Sequence, residues 1–191
     1  MAAPILADLG RVSSWITDHQ VAAPPRPADM AHLPSALNSV LAGELAGAQE
    51  ILSASAEEIL LAALGRAIAR TVGDGMLSVD VDAESCTGRI ALRCAPSQEV
   101  SALDMLDATR NAVRTATAAA DAPSDIRFTY RSGSEQPPAS TALLALYAHL
   151  DADAGVVILN WSYDARSFDP YTIEELAEQF PQALVEVTAE G

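Results

Sequence analysis

The side chains able to move protons near neutral pH are few in this sequence: three histidines, two cysteines and several grouped carboxylates. His19, His32 and His149 are scattered, none adjacent to another and none followed by Asp at a useful distance. General-base chemistry therefore lacks a paired imidazole. Asp74, Asp80, Asp82 and Glu84 form an acidic run. Such a run suits either a divalent cation or the wet face of a strand, and its alternation favours the strand face, so no metal ligand is assigned. Asp151-Ala-Asp153-Ala-Gly155 opens like a calcium loop but lacks the later carboxylates and the bidentate Glu, which leaves a turn. Ser13, Ser53 and Ser162 have no His/Asp arrangement or Gly-x-Ser-x-Gly elbow beside them, and no glycine loop is built to cradle phosphate. No cofactor is implied. Trp15, Trp161, Tyr163 and Phe168 suit a binding surface or a core; Trp161 is assigned to the core and Trp15 is left open. Cys86 and Cys94, with no secretory signal before them, are expected as reduced, buried thiols.

Bulk composition narrows the partners. The chain has 191 residues, 50% hydrophobic and 19% charged, which is enough for one folded core. A formal charge of -15 opposes binding to phosphate backbones and anionic lipid, so neither nucleic acid nor membrane is expected as a partner. Apolar runs such as Ile59 to Leu64 and Thr141 to Leu150 fall far short of the roughly 20 residues that span a bilayer. The expected location is the cytoplasm.

The elements that must position these groups follow from periodicity. Ile5, Leu9, Val12 and Ile16 mark a helix over residues 5 to 19, followed by an extended proline strap from Val21 to Pro27. Residues 1 to 32 are read as this helix and strap, and residues 33 to 191 as the main unit. Between Leu33 and Leu52, the spacing of Leu37, Val40, Leu41 and Leu45 suits a helix, while Ala36 to Leu41 equally suits a short strand. Ser55-Ala-Glu-Glu58 is a capping box that starts a helix ending near Gly73. Leu77, Val79 and Val81 alternate with polar residues as a half-buried strand, and Ile90 to Cys94 gives a second. Ala102 to Ala119 reads as a helix running to the turn at residues 121 to 124, and Asp125 to Arg131 as a strand. A loop from Ser132 to Ser140 leads to Leu143 to Leu150 and Val156 to Tyr163, a strand pair. A second capping box, Thr172-Ile-Glu-Glu175, opens a terminal helix that Pro181 is expected to kink. The whole is an α/β fold, a mixed sheet with helices packed on it.

Several strings resemble the condensation and epimerisation domains of nonribosomal peptide synthetases, relatives of the chloramphenicol-acetyltransferase-like acyltransferases. Glu58-Ile-Leu-Leu-Ala-Ala-Leu-Gly65 is similar to the helix that opens the C-terminal half of epimerisation-type members. Glu84, Gly88 and Arg89 stand in approximate register with that family's Glu-Gly-His-Gly-Arg, without its central His. Phe128-Thr-Tyr130 with Gly133, Leu159-Asn-Trp-Ser-Tyr163, and Phe168 to Leu176 resemble later strands and the closing helix. The resemblance runs from about Leu33 to Val187. It implies one subdomain of the CoA-dependent acyltransferase fold, a C-terminal half.

The departures shape the functional expectation. The family's catalytic His-His-x-x-x-Asp-Gly motif belongs to the N-terminal half and has no counterpart here, and a tunnel-wall segment is shortened to Arg89 through Pro96. The resemblance therefore implies a non-catalytic interaction or assembly module of nonribosomal peptide or lipopeptide biosynthesis. The implied partners are a second copy, a peptide synthetase or a complementary half domain, with a carrier protein as a further contact. The alternative is one chain of a split enzyme, completed by another that brings the histidine motif. Glu84 is then the single family-equivalent catalytic candidate.

Overall fold

The computed structural model describes residues 14 to 118, 124, 126 to 133 and 139 to 189. Most of the expected N-terminal helix, most of the turn before residue 124 and the centre of the loop after Ser132 lie outside the described residues. Ten regular elements follow one another: β1 Met30–Leu37, α1 Ser39–Leu52, α2 Ala56–Thr71, β2 Gly75–Asp82, β3 Thr87–Cys94, α3 Ala102–Arg114, β4 Ile126–Arg131, β5 Leu144–Asp151, β6 Val156–Asp164 and α4 Pro170–Ala189. The six strands form one mixed sheet in the order β1-β6-β5-β4-β2-β3. β2, β4 and β5 run parallel to one another, and the outer pairings are antiparallel.

Side-chain alternation gives the sheet one greasy face. A single register row joins Val81, Phe128, Leu146, Trp161 and Leu33 across five strands, and the first four are at most 2% exposed. α4 lies over this row, where Phe180 meets Trp161 edge-on with ring centroids 5.7 Å apart. The Trp161 indole N–H, which burial would otherwise strand, donates to Ser35 Oγ at 3.0 Å. Each buried side chain of this size stabilises by about 1.5–3 kcal/mol.

α2 is the inner helix of the layer. Its start is the capping box read from sequence: Ser55 Oγ accepts from the Glu58 N–H and Glu58 Oε2 accepts from the Ser55 N–H. Every residue from Ile59 to Ile68 is buried, as expected of a helix enclosed by a sheet and other helices. A Cβ on Gly65 would collide with the Arg93 carbonyl and Met105, so glycine lets α2 close onto β3. The helix ends before Gly73, whose φ of +143° favours glycine.

Other boundaries differ from the sequence expectation. The ambiguous stretch after Leu33 holds both elements: β1 ends at Leu37, and Asn38 caps α1 by accepting from the Leu41 N–H at 3.0 Å. Pro34 is tolerated because β1 is an edge strand. α3 stops at Arg114 rather than Ala119, because Thr117 leaves the helix to exchange both backbone hydrogen bonds with Arg89 on β3. α4 starts at Pro170, where proline suits the first helical position, so the capping box expected at Thr172 does not form. It runs through Pro181 to Ala189. Ser14–Ile16 is one 3-10 turn, and the chain is not helical from Thr17, so the expected helix does not reach His19. Trp15 packs beside Gly73 and Gly75 at the start of β2, and Ile16 is buried. From there the strap runs along one end of the sheet: His19 N–H donates to the Ser167 carbonyl, Arg166 to the Ala23 carbonyl, and Ala165 N–H to the Asp29 carbonyl.

Candidate site on the polar face of the sheet

Alternation sends Asp80 and Asp82 of β2, Arg127 and Arg131 of β4, and Tyr147 and His149 of β5 to the face opposite the helices. β3 adds Arg89 directly opposite Asp80. The acids meet guanidinium groups: Arg89 donates to Asp80 through Nε at 2.7 Å and Nη2 at 3.0 Å, a bidentate pair. Asp82 accepts from Arg131 at 2.9 Å and from Arg127 at 3.4 Å, while Arg131 also reaches the Asp82 carbonyl at 2.8 Å. Hydrogen bonding from Arg131 and the nearby positive charges hold the Asp82 carboxyl below the ordinary carboxylate range. Burial alone would raise Asp80, but hydrogen bonds from Arg89 and Ser124 outweigh it and lower its pKa too. Of the acidic run read from sequence, Asp80 and Asp82 form the polar face of β2, while Asp74 and Glu84 flank the strand. Asp80 and Asp82 are bound to guanidinium groups, and among the described residues no three His, Cys, Asp or Glu side chains gather as a metal site.

Glu84 follows β2 in the bend before β3. Its Oε1 accepts from the Ser132 N–H at 2.8 Å, just past the end of β4. That hydrogen bond, with the Arg131 charge nearby, lowers its pKa, and the residue is exposed. No described imidazole hydrogen-bonds to it. His19 sits on the strap 3.1 Å from Asp169, and His32 lies exposed on β1. His149 is the β5 register partner of Arg131 and stacks obliquely against Tyr147 at 5.3 Å. The three histidines stay apart in the fold as in the sequence.

Two charged residues of α2 hold the two ends of the β2–β3 hairpin. Glu57, 4% exposed in the first turn of α2, accepts from both the N–H and the hydroxyl of Ser85 and so ties down the bend that carries Glu84. Its neighbour Glu58 caps the helix and lies 3.7 Å from the Arg110 guanidinium of α3. Arg66, fully buried on α2, donates to the Ala95 carbonyl at 2.7 Å and the Val100 carbonyl at 2.8 Å, fixing the connection from β3 to α3. A lone arginine inside an otherwise apolar helical run is the available sequence signal for Arg66. Glu57 has none, since its partner lies in a later turn.

Cys86 and Cys94 are free and buried; burial pushes the Cys86 thiol up, with Glu57 adding to it, and the Cys94 thiol up to about 12. Trp161, Tyr163 and Phe168 belong to the core. A cleft of about 330 Å³ opens between the strap and the end of β5, lined among others by His19, Val21 and Leu143. Among the described residues, no helix is long and apolar enough to cross a membrane.

No protein-family model matches the chain. Solved structures do. The epimerisation domain from the third module of tyrocidine synthetase B superposes with a TM-score of 0.72 at 14% identity, over 96% of this chain and 53% of that one. The chain has the fold of one half of a condensation-type domain. The X-domain from teicoplanin biosynthesis gives a TM-score of 0.70 at 15% identity, over 91% of this chain and 50% of that one. The condensation domain of the monacolin K polyketide synthase gives 0.65 at 14%, over 91% and 51%. The condensation-type lobe therefore spans about half the length of these solved structures. In sequence it is 26% identical to a phenolphthiocerol/phthiocerol polyketide synthase protein of Mycobacterium tuberculosis and to its namesake in Mycobacterium bovis, over 91% of this chain and 16% of the relative. That alignment runs over 235 positions, more than the 191 residues of this lobe, so the relative carries stretches absent here.

Proposed function

We propose that this lobe is an assembly module of nonribosomal peptide or polyketide biosynthesis, docking a protein partner and not turning over substrate by itself. The state of Glu84 carries this reading. A base effective at neutral pH needs a pKa near the working pH, and Glu84 is an exposed carboxylate whose hydrogen bond to Ser132 moves its pKa the opposite way. Asp80 and Asp82 are equally committed to arginines. The partner is a peptide synthetase, a complementary half domain or a second copy, and a carrier protein is a further contact.

The test is turnover of a carrier-bound aminoacyl thioester by the purified chain. Condensation and epimerisation both stay at background, and Glu84→Gln changes neither. Turnover restored by adding a polypeptide that bears the histidine motif, and abolished by Glu84→Gln, would instead establish a split enzyme.

A further inference from the structure

α1 and α4 lie side by side on the outside of the helix layer, and their solvent faces share an unusual make-up. Of the fourteen residues of α1 only Leu45 and Ala48 are buried. Val40, Gly43, Glu44, Gly47 and Ile51 recur at spacings of three and four along its outer stripe, and Val40 and Ile51 are 66% and 73% exposed. On α4 the same spacing puts Tyr171, Glu174, Glu178, Gln182 and Val185 outward, with Tyr171 at 70% exposed. Neither helix contains a single Lys, Arg or His. Glu44, Glu50, Glu174 and Glu178 are exposed and form no ion pair with a described residue, although Arg70 of α2 reaches Glu186 on the flank of α4.

Nothing among the described residues accounts for the glycines. A Cβ at Gly43 or Gly47 meets no atom within 4 Å, and neither has a positive φ. Glycine in a helix interior costs roughly 0.5–1 kcal/mol against alanine, so two of them one turn apart leave the backbone open to close approach from outside. The exposed apolar side chains want cover, and the unmatched acids select what supplies it. Like charge opposes a second copy of this acidic face as well as phosphate or anionic lipid, and favours a cationic polypeptide.

We infer that the outer face of α1 and α4 docks a basic amphipathic helix of a partner protein, with apolar residues over Val40, Ile51 and Tyr171 and Lys or Arg beside the glutamates. Glu84, in the bend after β2, belongs to neither helix, so this surface stands or falls separately from the function proposed above.

The probe is a fluorescein-labelled helical peptide of leucine and lysine in amphipathic spacing, titrated with the full chain by anisotropy. Saturable binding that weakens as salt rises is expected. Combining Glu44→Gln, Glu174→Gln and Glu178→Gln weakens it about tenfold, and Ile51→Ser weakens it severalfold. Asp74→Asn, Glu99→Gln and Asp153→Asn remove the same charge elsewhere on the exposed surface and leave binding unchanged. The inference is overturned by absence of saturable binding, by an equal loss in the second set, or by indifference to Ile51→Ser. It is likewise overturned if the chain self-associates without peptide and the α1 and α4 substitutions abolish that association.

Discussion

The two faces of this lobe handle charge in opposite ways. On the side of the sheet opposite α1 to α4, Asp80 and Asp82 meet Arg89, Arg127 and Arg131 from neighbouring strands. On the outer side of the helix layer, Glu44, Glu50, Glu174 and Glu178 of α1 and α4 form no ion pair with a described residue. The sheet-face acids are matched by arginines in a chain of formal charge -15, whereas α1 and α4 hold six glutamates and no basic residue. Matched charges fix strands in register and hold side chains still. Unmatched charges repel one another and leave a field that acts on other molecules.

The largest break in this contrast comes from unmatching the sheet face. Asp82→Ala leaves Arg127 and Arg131 side by side without their shared acceptor, and should cost about 1–3 kcal/mol in urea unfolding. The same groups set an acid dependence. Asp80 and Asp82 have lowered pKa values in the folded lobe, so their contribution is complete above the ordinary carboxylate value of about 4 and is lost as pH falls through the folded values. Wild type should therefore lose stability more steeply below about pH 4 than Asp82→Ala does. Parallel curves would show that the arginines add nothing.

A smaller effect of opposite sign belongs to the helix face. Gly47→Ala enters open space in a helical backbone and should stabilise by about 0.5–1 kcal/mol. Gly65→Ala on the inner helix should destabilise instead, because the new methyl meets the Arg93 carbonyl. A loss at Gly47 would mean that α1 is already covered. Smallest of all, Glu174→Gln with Glu178→Gln should change stability by a few tenths of a kcal/mol at most, in the stabilising direction, visible as a small rise in Tm that salt erases.

Local signals are legible in the sequence and tertiary ones are not. Ser55 and Glu58 sit three residues apart and specify their helix alone, and the alternation around Val79 needs only a buried face. The resemblance to condensation and epimerisation domains likewise rests on short strings, and the fold agrees with it. α3 ends earlier than its composition implies because the competing partner of Thr117 is Arg89, 28 residues away. α4 begins earlier than its capping box implies because Pro170 pre-empts Thr172. Pairing of the acidic run with arginines is hidden for the same reason: Asp82 and Arg131 stand 49 residues apart and meet only when β2 and β4 align. Family likeness points to Glu84, but its bond to the Ser132 N–H depends on a loop that no periodicity marks.

The proposal that this chain does not turn over substrate by itself requires it to leave the α-carbon of an aminoacyl pantetheine thioester untouched, and hydrogen–deuterium exchange there in D2O tests this most directly. With the purified chain the exchange rate should equal that of the thioester in buffer at every pH near neutral. Exchange accelerated by the chain, and suppressed by Glu84→Gln, would contradict it.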